Sequence, residues 1–198
     1  MICAERPFIS AENAGICLRK PAHTGKVRKA NETMPRGPGG FMASQSNIIC
    51  RDFTKEDRSA CLSIFESLTP HYFKAGELKE FTEFLDRVDN DTCRYVVIEN
   101  EQQKIIACGG VMIDRENGVA SLCWEMVHQD HQRQGIGSFM LQARLGWLRD
   151  YPELTHVIAS ASAHSAKFFE KEGFETFHVQ KDYFGNGLDL LDMKYRLR

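Results

Sequence analysis

A β-branched and apolar run, Val119 to Val127, feeds a short polar loop, then Gln132-Arg133-Gln134-Gly135-Ile136-Gly137, and then an apolar-rich stretch to Leu148. No other stretch constrains the chain as much, because it predicts a strand, a tight loop and a helix with glycines at its mouth. The first N–H groups of a helix have no intrahelical partner. Two glycines leave those amides unobstructed, and with the helix dipole behind them they suit an anion such as a pyrophosphate. Other phosphate loops fit less well. A Rossmann fingerprint wants glycine at position 140, where Met140 stands, and the Gly-Lys-Ser/Thr of a Walker loop is absent. For this segment alone, the plainer alternative is a strand-to-helix turn that uses glycine for its freedom of φ.

A second segment weighs against that alternative. After the apolar Val157-Ile158-Ala159, the residues Ala161 to Phe174 read as the end of a strand, an amphipathic helix, a glycine stop at Gly173 and a further strand. Together the two segments resemble the GNAT N-acetyltransferases. The first is similar to their coenzyme A cradle, Gln/Arg-x-x-Gly-x-Gly/Ala. The second is similar to Asn/Ser-x-x-Ala-x-x-Phe-Tyr-Glu-Lys-x-Gly-Phe, with Ser162 at the Asn/Ser position, Phe168-Phe169 at Phe-Tyr and Gly173-Phe174 at the end. The resemblance covers Asn47 to Arg198.

It implies acetyl-CoA as co-substrate and direct transfer of the acetyl group to a primary amine of a small molecule, an amino acid or a peptide. Met126 and Val127 would offer backbone groups to the pantetheine arm where their strand splays from the next. Gln132 and Arg133 would open the loop, with Arg133 as a charged donor, and the amides of Gln134, Gly135, Ile136, Gly137 and Ser138 would meet the pyrophosphate. Gln132 stands where many relatives have arginine. Ser162 and Phe168 are placed along the cofactor, and Ser162 also reads as the N-cap of its helix.

Strand alternation puts Glu125 on one face with Val127, Ser121 and Cys123. Glu125 is therefore the candidate base, acting directly or through water; its alternative is a solvated or salt-bridged strand carboxylate. Cys123 reads as packing rather than a nucleophile. Phe169 departs from the family pattern, since phenylalanine cannot donate to a departing thiolate. Tyr183, His164 or a water are the substitutes as general acid. Two rivals stay open: a non-catalytic coenzyme A-binding sensor, which Phe169 favours, and an acyltransferase using a longer acyl-CoA.

Composition bounds the rest. At 198 residues the chain predicts one domain over 45–198, preceded by an extension over 1–44 that lacks periodicity and ends in the linker-like Met34 to Gly40. That extension reads as a disordered tail, or as extraneous sequence upstream of a start at Met42. Its seven basic and three acidic side chains, against a whole-chain charge of −2, leave the body acidic, which gives no support to a nucleic-acid partner. The seven cysteines form no C-x-x-C pair, so reduced thiols and a cytoplasmic location are expected. No apolar run is long enough to cross a membrane. His128, Asp130 and His131 share one tight loop without a further ligand pair, so no metal is expected. A homodimer stays open.

Thr54 with Asp57 predicts a capping box before a first helix, a second helix runs from about His71 to Val88, and Asn117-Gly118 predicts a hairpin. The element order is β-α-α-β-β-β-α-β-α-β-β, that of the GNAT fold: an α/β (α+β) domain whose mostly antiparallel, splayed mixed sheet is flanked by helices.

Overall fold

Tyr95 to Ile98 and Ile105 to Val111 carry apolar or small residues on both strand faces, so both faces of this part of the sheet must be covered. The computed structural model describes residues 48–88 and 93–198, and the expectation for residues 1–44 lies outside them. The elements are β1 (Ile49–Asp52), α1 (Arg58–Leu68), α2 (Glu77–Arg87), β2 (Cys93–Glu99), β3 (Ile105–Asp114), β4 (Val119–Val127), α3 (Ile136–Leu148), β5 (His156–Ser162), α4 (Ala163–Lys171), β6 (Glu175–Gln180) and β7 (Leu190–Arg196). This is the expected order.

The seven strands form one sheet in the order β1-β2-β3-β4-β5-β7-β6. Every pairing is antiparallel except β4 with β5. On one face α1 and α2 bury Phe65, Phe73, Phe81 and Phe84 with Tyr95 and Trp124. On the other, α3 and α4 pack Leu141, Leu145, Ala166 and Phe169 over Val111, Leu122, Val157 and Met193.

Local chemistry sets the ends. The Asp57 carboxylate accepts from the Thr54 amide at 2.9 Å, as the capping box predicts, and also pairs with Arg51 at 2.7 Å. The second helix starts at Glu77 rather than His71. Pro70 breaks the chain, and the Glu77 side chain accepts from the Lys74 amide at 2.6 Å, closing a turn ahead of the helix. Phe73 nonetheless reaches the core from that turn and stacks on Phe65, with ring centres 4.6 Å apart. In the β3–β4 connection Gly118 has φ +67°, and Asp114 accepts from the Asn117 amide at 3.0 Å.

Candidate active site

β4 and β5 pair only through Val119–Ser121 and His156–Ile158. Beyond that point β5 keeps β7 as partner through to Ser162 opposite Leu190. β4 stays with β3 but carries a bulge, because the register passes from Gly110–Cys123 to Cys108–Met126. Trp124, at φ +49°, is the residue that absorbs it. The two strands therefore part toward their C-terminal ends, and the N-termini of α3 and α4 stand at that same end of the sheet.

The loop that closes this opening is tightly held. Residues Gln129–His131 form one 3-10 turn, Arg133 and Gly135 take φ of +61° and +79°, and α3 begins at Ile136. Gly135 is the N-cap of α3 and makes no side-chain capping hydrogen bond to the first amides. Gln132 does not point outward as a free donor. Its Nε2 donates to the Val127 carbonyl at 3.3 Å, tying the loop to the end of β4, and its Oε1 lies 3.5 Å from the Tyr72 hydroxyl. Gln134 Nε2 donates to the Asp130 carbonyl at 3.2 Å. The Ser138 hydroxyl donates to Glu172, which also accepts from Gln142 at 2.9 Å, so the first turns of α3 are braced by the end of α4.

Glu125 is placed differently from the sequence expectation. The bulge at Trp124 puts Cys123, Trp124 and Met126 among the α1–α2 aromatics, while Glu125 and Val127 face α3. Strand alternation keeps Glu125 with Val127, as expected, but fails for Cys123, because the bulge adds one residue between them. The Glu125 carboxylate has no exposure, and both its oxygens are bound by the Arg144 guanidinium of α3. Arg144 also donates to the Gly110 carbonyl at 3.0 Å and to Met140 O at 3.0 Å. Burial lifts the Glu125 carboxyl above its usual range, and the Arg144 charge opposes that lift. Of the two alternatives drawn for Glu125, the salt-bridged carboxylate is the one this geometry carries. Arg144 escaped the sequence reading, although a lone arginine within an apolar helix signals a buried acidic partner.

Gly109 explains how the pair fits. A Cβ there would lie 2.6 Å from a Glu125 oxygen and 3.1 Å from an Arg144 nitrogen.

The remaining candidates scatter. Ser162 is the N-cap of α4, with its hydroxyl 3.4 Å from that of Ser165. Phe168 is half-buried beside α4's core partners. Phe169 is fully buried, edge-on to Phe168 at 5.2 Å and to Phe174 at 5.3 Å. Tyr183 sits on the β6–β7 loop, 42% exposed, against Phe184. Cys123 is fully buried. Burial pushes the Cys50 thiol up to about 11, and the five described cysteines are not disulfide-bonded to one another.

Residues 61–174 match the acetyltransferase (GNAT) family across more than half of the chain. The chain belongs to that family. No curated protein matches it by sequence. Solved structures share the GNAT fold at low identity. A GNAT-family protein from Desulfovibrio desulfuricans superposes with a TM-score of 0.67 at 18% identity, covering 77% of this chain and 100% of its own. An N-acetyltransferase from Staphylococcus aureus Mu50 gives 0.66 at 18% identity, over 77% and 100%. A Salmonella typhimurium protein whose structure holds acetyl-CoA gives 0.64 at 18% identity, over 77% and 95%. This GNAT chain is an acetyltransferase. No helix among its described residues is long and apolar enough to cross a membrane.

Proposed function

We propose that this acetyltransferase uses acetyl-CoA and transfers the acetyl group directly to a primary amine of a small molecule, an amino acid or a peptide. The observation that carries this reading is the parting of β4 from β5 directly ahead of an α3 N-terminus capped by Gly135 in the left-handed region. Bound acetyl-CoA supplies the reactive thioester. The residues of the chain supply position, and orienting two reactants can lower a barrier by about 7–11 kcal/mol.

The amides of Gln134 through Ser138 would receive the pyrophosphate, where unpaired N–H groups and the dipole of α3 favour an anion. Arg133 adds a charged donor beside them. Met126 and Val127 would line the pantetheine arm by their backbone, with Ser162 and Phe168 on the opposite strand and helix. Glu125 acts as a positioning residue: joined to Arg144, it holds the bulged end of β4 at a fixed distance from α3. Phe169 offers no hydroxyl to the leaving sulfur, and Tyr183, on an exposed loop, takes no assigned step. Free cysteine thiols suit a reducing compartment, which supports a cytoplasmic location. Calorimetry with acetyl-CoA, followed by mass spectrometry over a panel of amines, tests the reading; absence of acetyl-CoA binding would contradict it.

A further inference from the structure

One side-chain amide joins the end of β4 to the turn between α1 and α2. Val127 lies opposite Ala107, and the His128 amide donates to the Ile106 carbonyl at 2.9 Å. In an antiparallel ladder that pattern makes Val127 and Ala107 a non-hydrogen-bonded pair. The Val127 carbonyl therefore points away from β3, toward the side that β5 has left. Gln132 Nε2 donates to it at 3.3 Å, and the Tyr72 hydroxyl lies 3.5 Å from Gln132 Oε1. A second contact joins the same two segments, since the Gln129 amide donates to Ser67 Oγ at 3.4 Å. Phe73, buried and stacked on Phe65, pins the turn to the core, while Tyr72 beside it is 42% exposed. Tyr72 thus stands at the rim of the opening, on the face that α1 and α2 cover.

The direction of these hydrogen bonds follows from the groups themselves. A backbone carbonyl only accepts, so Gln132 turns its NH2 to Val127 and its oxygen to Tyr72. That amide oxygen also only accepts, so the Tyr72 hydroxyl gives it the single hydrogen it has. What Tyr72 keeps for the opening is lone-pair density. The row runs in one sense from Val127 outward and ends on an acceptor, which calls for a donor.

We propose that the Tyr72 oxygen receives a hydrogen-bond donor of the acceptor molecule, a second N–H or O–H beside the reacting amine, and that Gln132 is the positioning residue that sets its polarity; this rests on the N-acetyltransferase reading above. With the cofactor on the side of α3, the α1–α2 side is left to the acceptor. Acceptors that fit carry the second donor close to the amine, as a diamine, an amino alcohol or the first amide of a peptide does. An alkylamine leaves Tyr72 without a partner. Arginine at position 132 inverts the row. Its guanidinium carries donors only, so it can hold the Val127 carbonyl as Gln132 does, but it donates to Tyr72 as well and turns the hydroxyl hydrogen toward the opening.

Steady-state kinetics of the wild type, Tyr72→Phe and Gln132→Arg on matched acceptors test this. One arm sets a diamine or amino alcohol against the alkylamine of the same length. The other sets a peptide against the same peptide N-methylated at its second residue. In one arm or the other, the wild type should prefer the member with the second donor about fivefold in kcat/KM, as one exposed neutral hydrogen bond gives. Tyr72→Phe keeps the ring and should lose the preference, with the acetyl-CoA Kd from calorimetry unchanged. Gln132→Arg keeps the Tyr72 oxygen and should lose the preference all the same, which a purely structural role for Tyr72 would not produce. A wild type with no preference in either arm, or a variant that retains it, overturns the proposal and leaves the N-acetyltransferase reading standing. A wild type that acetylates no amine overturns both.

Discussion

Gly135 and Glu125 show at single residues what a strand–loop–helix pattern does and does not reveal. Gly135 takes a φ of +79° and is the N-cap of α3, where no side chain makes a capping hydrogen bond. Gly135→Asp is expected to abolish acetyl-CoA binding in a protein that still folds, because a carboxylate would face the proposed anion site; calorimetry beside a circular-dichroism melt separates the two effects. Glu125 makes the opposite case. Its ion pair with Arg144 has no exposure on either side, and removing one partner of such a pair costs about 3–5 kcal/mol. Denaturant unfolding of Arg144→Met should show a loss of that order, and Glu125→Gln should unfold more easily while turnover per folded molecule changes by less than the 10²-fold a lost base would give. A turnover loss of 10²–10⁴-fold in a stable Glu125→Gln protein would restore the base role. Nothing in Cys123-Trp124-Glu125 marks the extra residue of a bulge, so alternation pairs Glu125 correctly with Val127 but wrongly with Cys123. Arg144, the partner that the reading of the sequence missed, stands alone among the apolar residues of its helix, and that was the available signal.

At the scale of elements, the sequence carried the order and most boundaries because its periodicities are clean and its turns are marked by Asn117-Gly118 and Gly173. The sequence places the start of α2 too early because Phe73 keeps the helical apolar spacing while lying in the turn before Glu77. The contacts of Ser160 and His178 with the buried Asp192 were invisible, since they depend on the pairing of β5, β7 and β6 and on the bulge at Phe177. The β1–α1 junction was half legible: Thr54 and Asp57 announce a cap, but not the reach of Arg51 to Asp57 and Glu99. Burial there works against the Asp57 charge, yet the Arg51 hydrogen bonds and the Thr54 amide outweigh it and hold the carboxyl below its usual range. A carboxyl lowered on folding contributes stability that is present above its unfolded pKa, about 3.9, and is lost as pH falls through the folded value. Asp57→Asn should therefore lower the melting temperature near neutral pH and show a shallower loss than wild type as pH drops below about 4. Parallel melting curves for the two proteins across that range would contradict the assignment.

For the whole molecule, an acidic body with the anion site proposed at one end of its sheet suits a bound pyrophosphate and a basic amine better than nucleic acid. The acceptor itself was not legible, because the α1–α2 turn and the β6–β7 loop that border the opening carry no motif of their own. Residues 1–44 lack the periodicity of the domain, so a chain beginning at Met42 is expected to bind acetyl-CoA as tightly as the full one; weaker binding by calorimetry would make the extension part of the site. The central claim is that this fold moves an acetyl group from acetyl-CoA to an amine without a covalent enzyme intermediate. Mass spectrometry of the protein with acetyl-CoA and a broad panel of amines tests it most directly. An acetylated amine should form in step with free coenzyme A, with no acetyl group retained on the protein. Tight coenzyme A binding with no amine acetylated across the panel, or an acetyl group trapped on the chain before transfer, would contradict it.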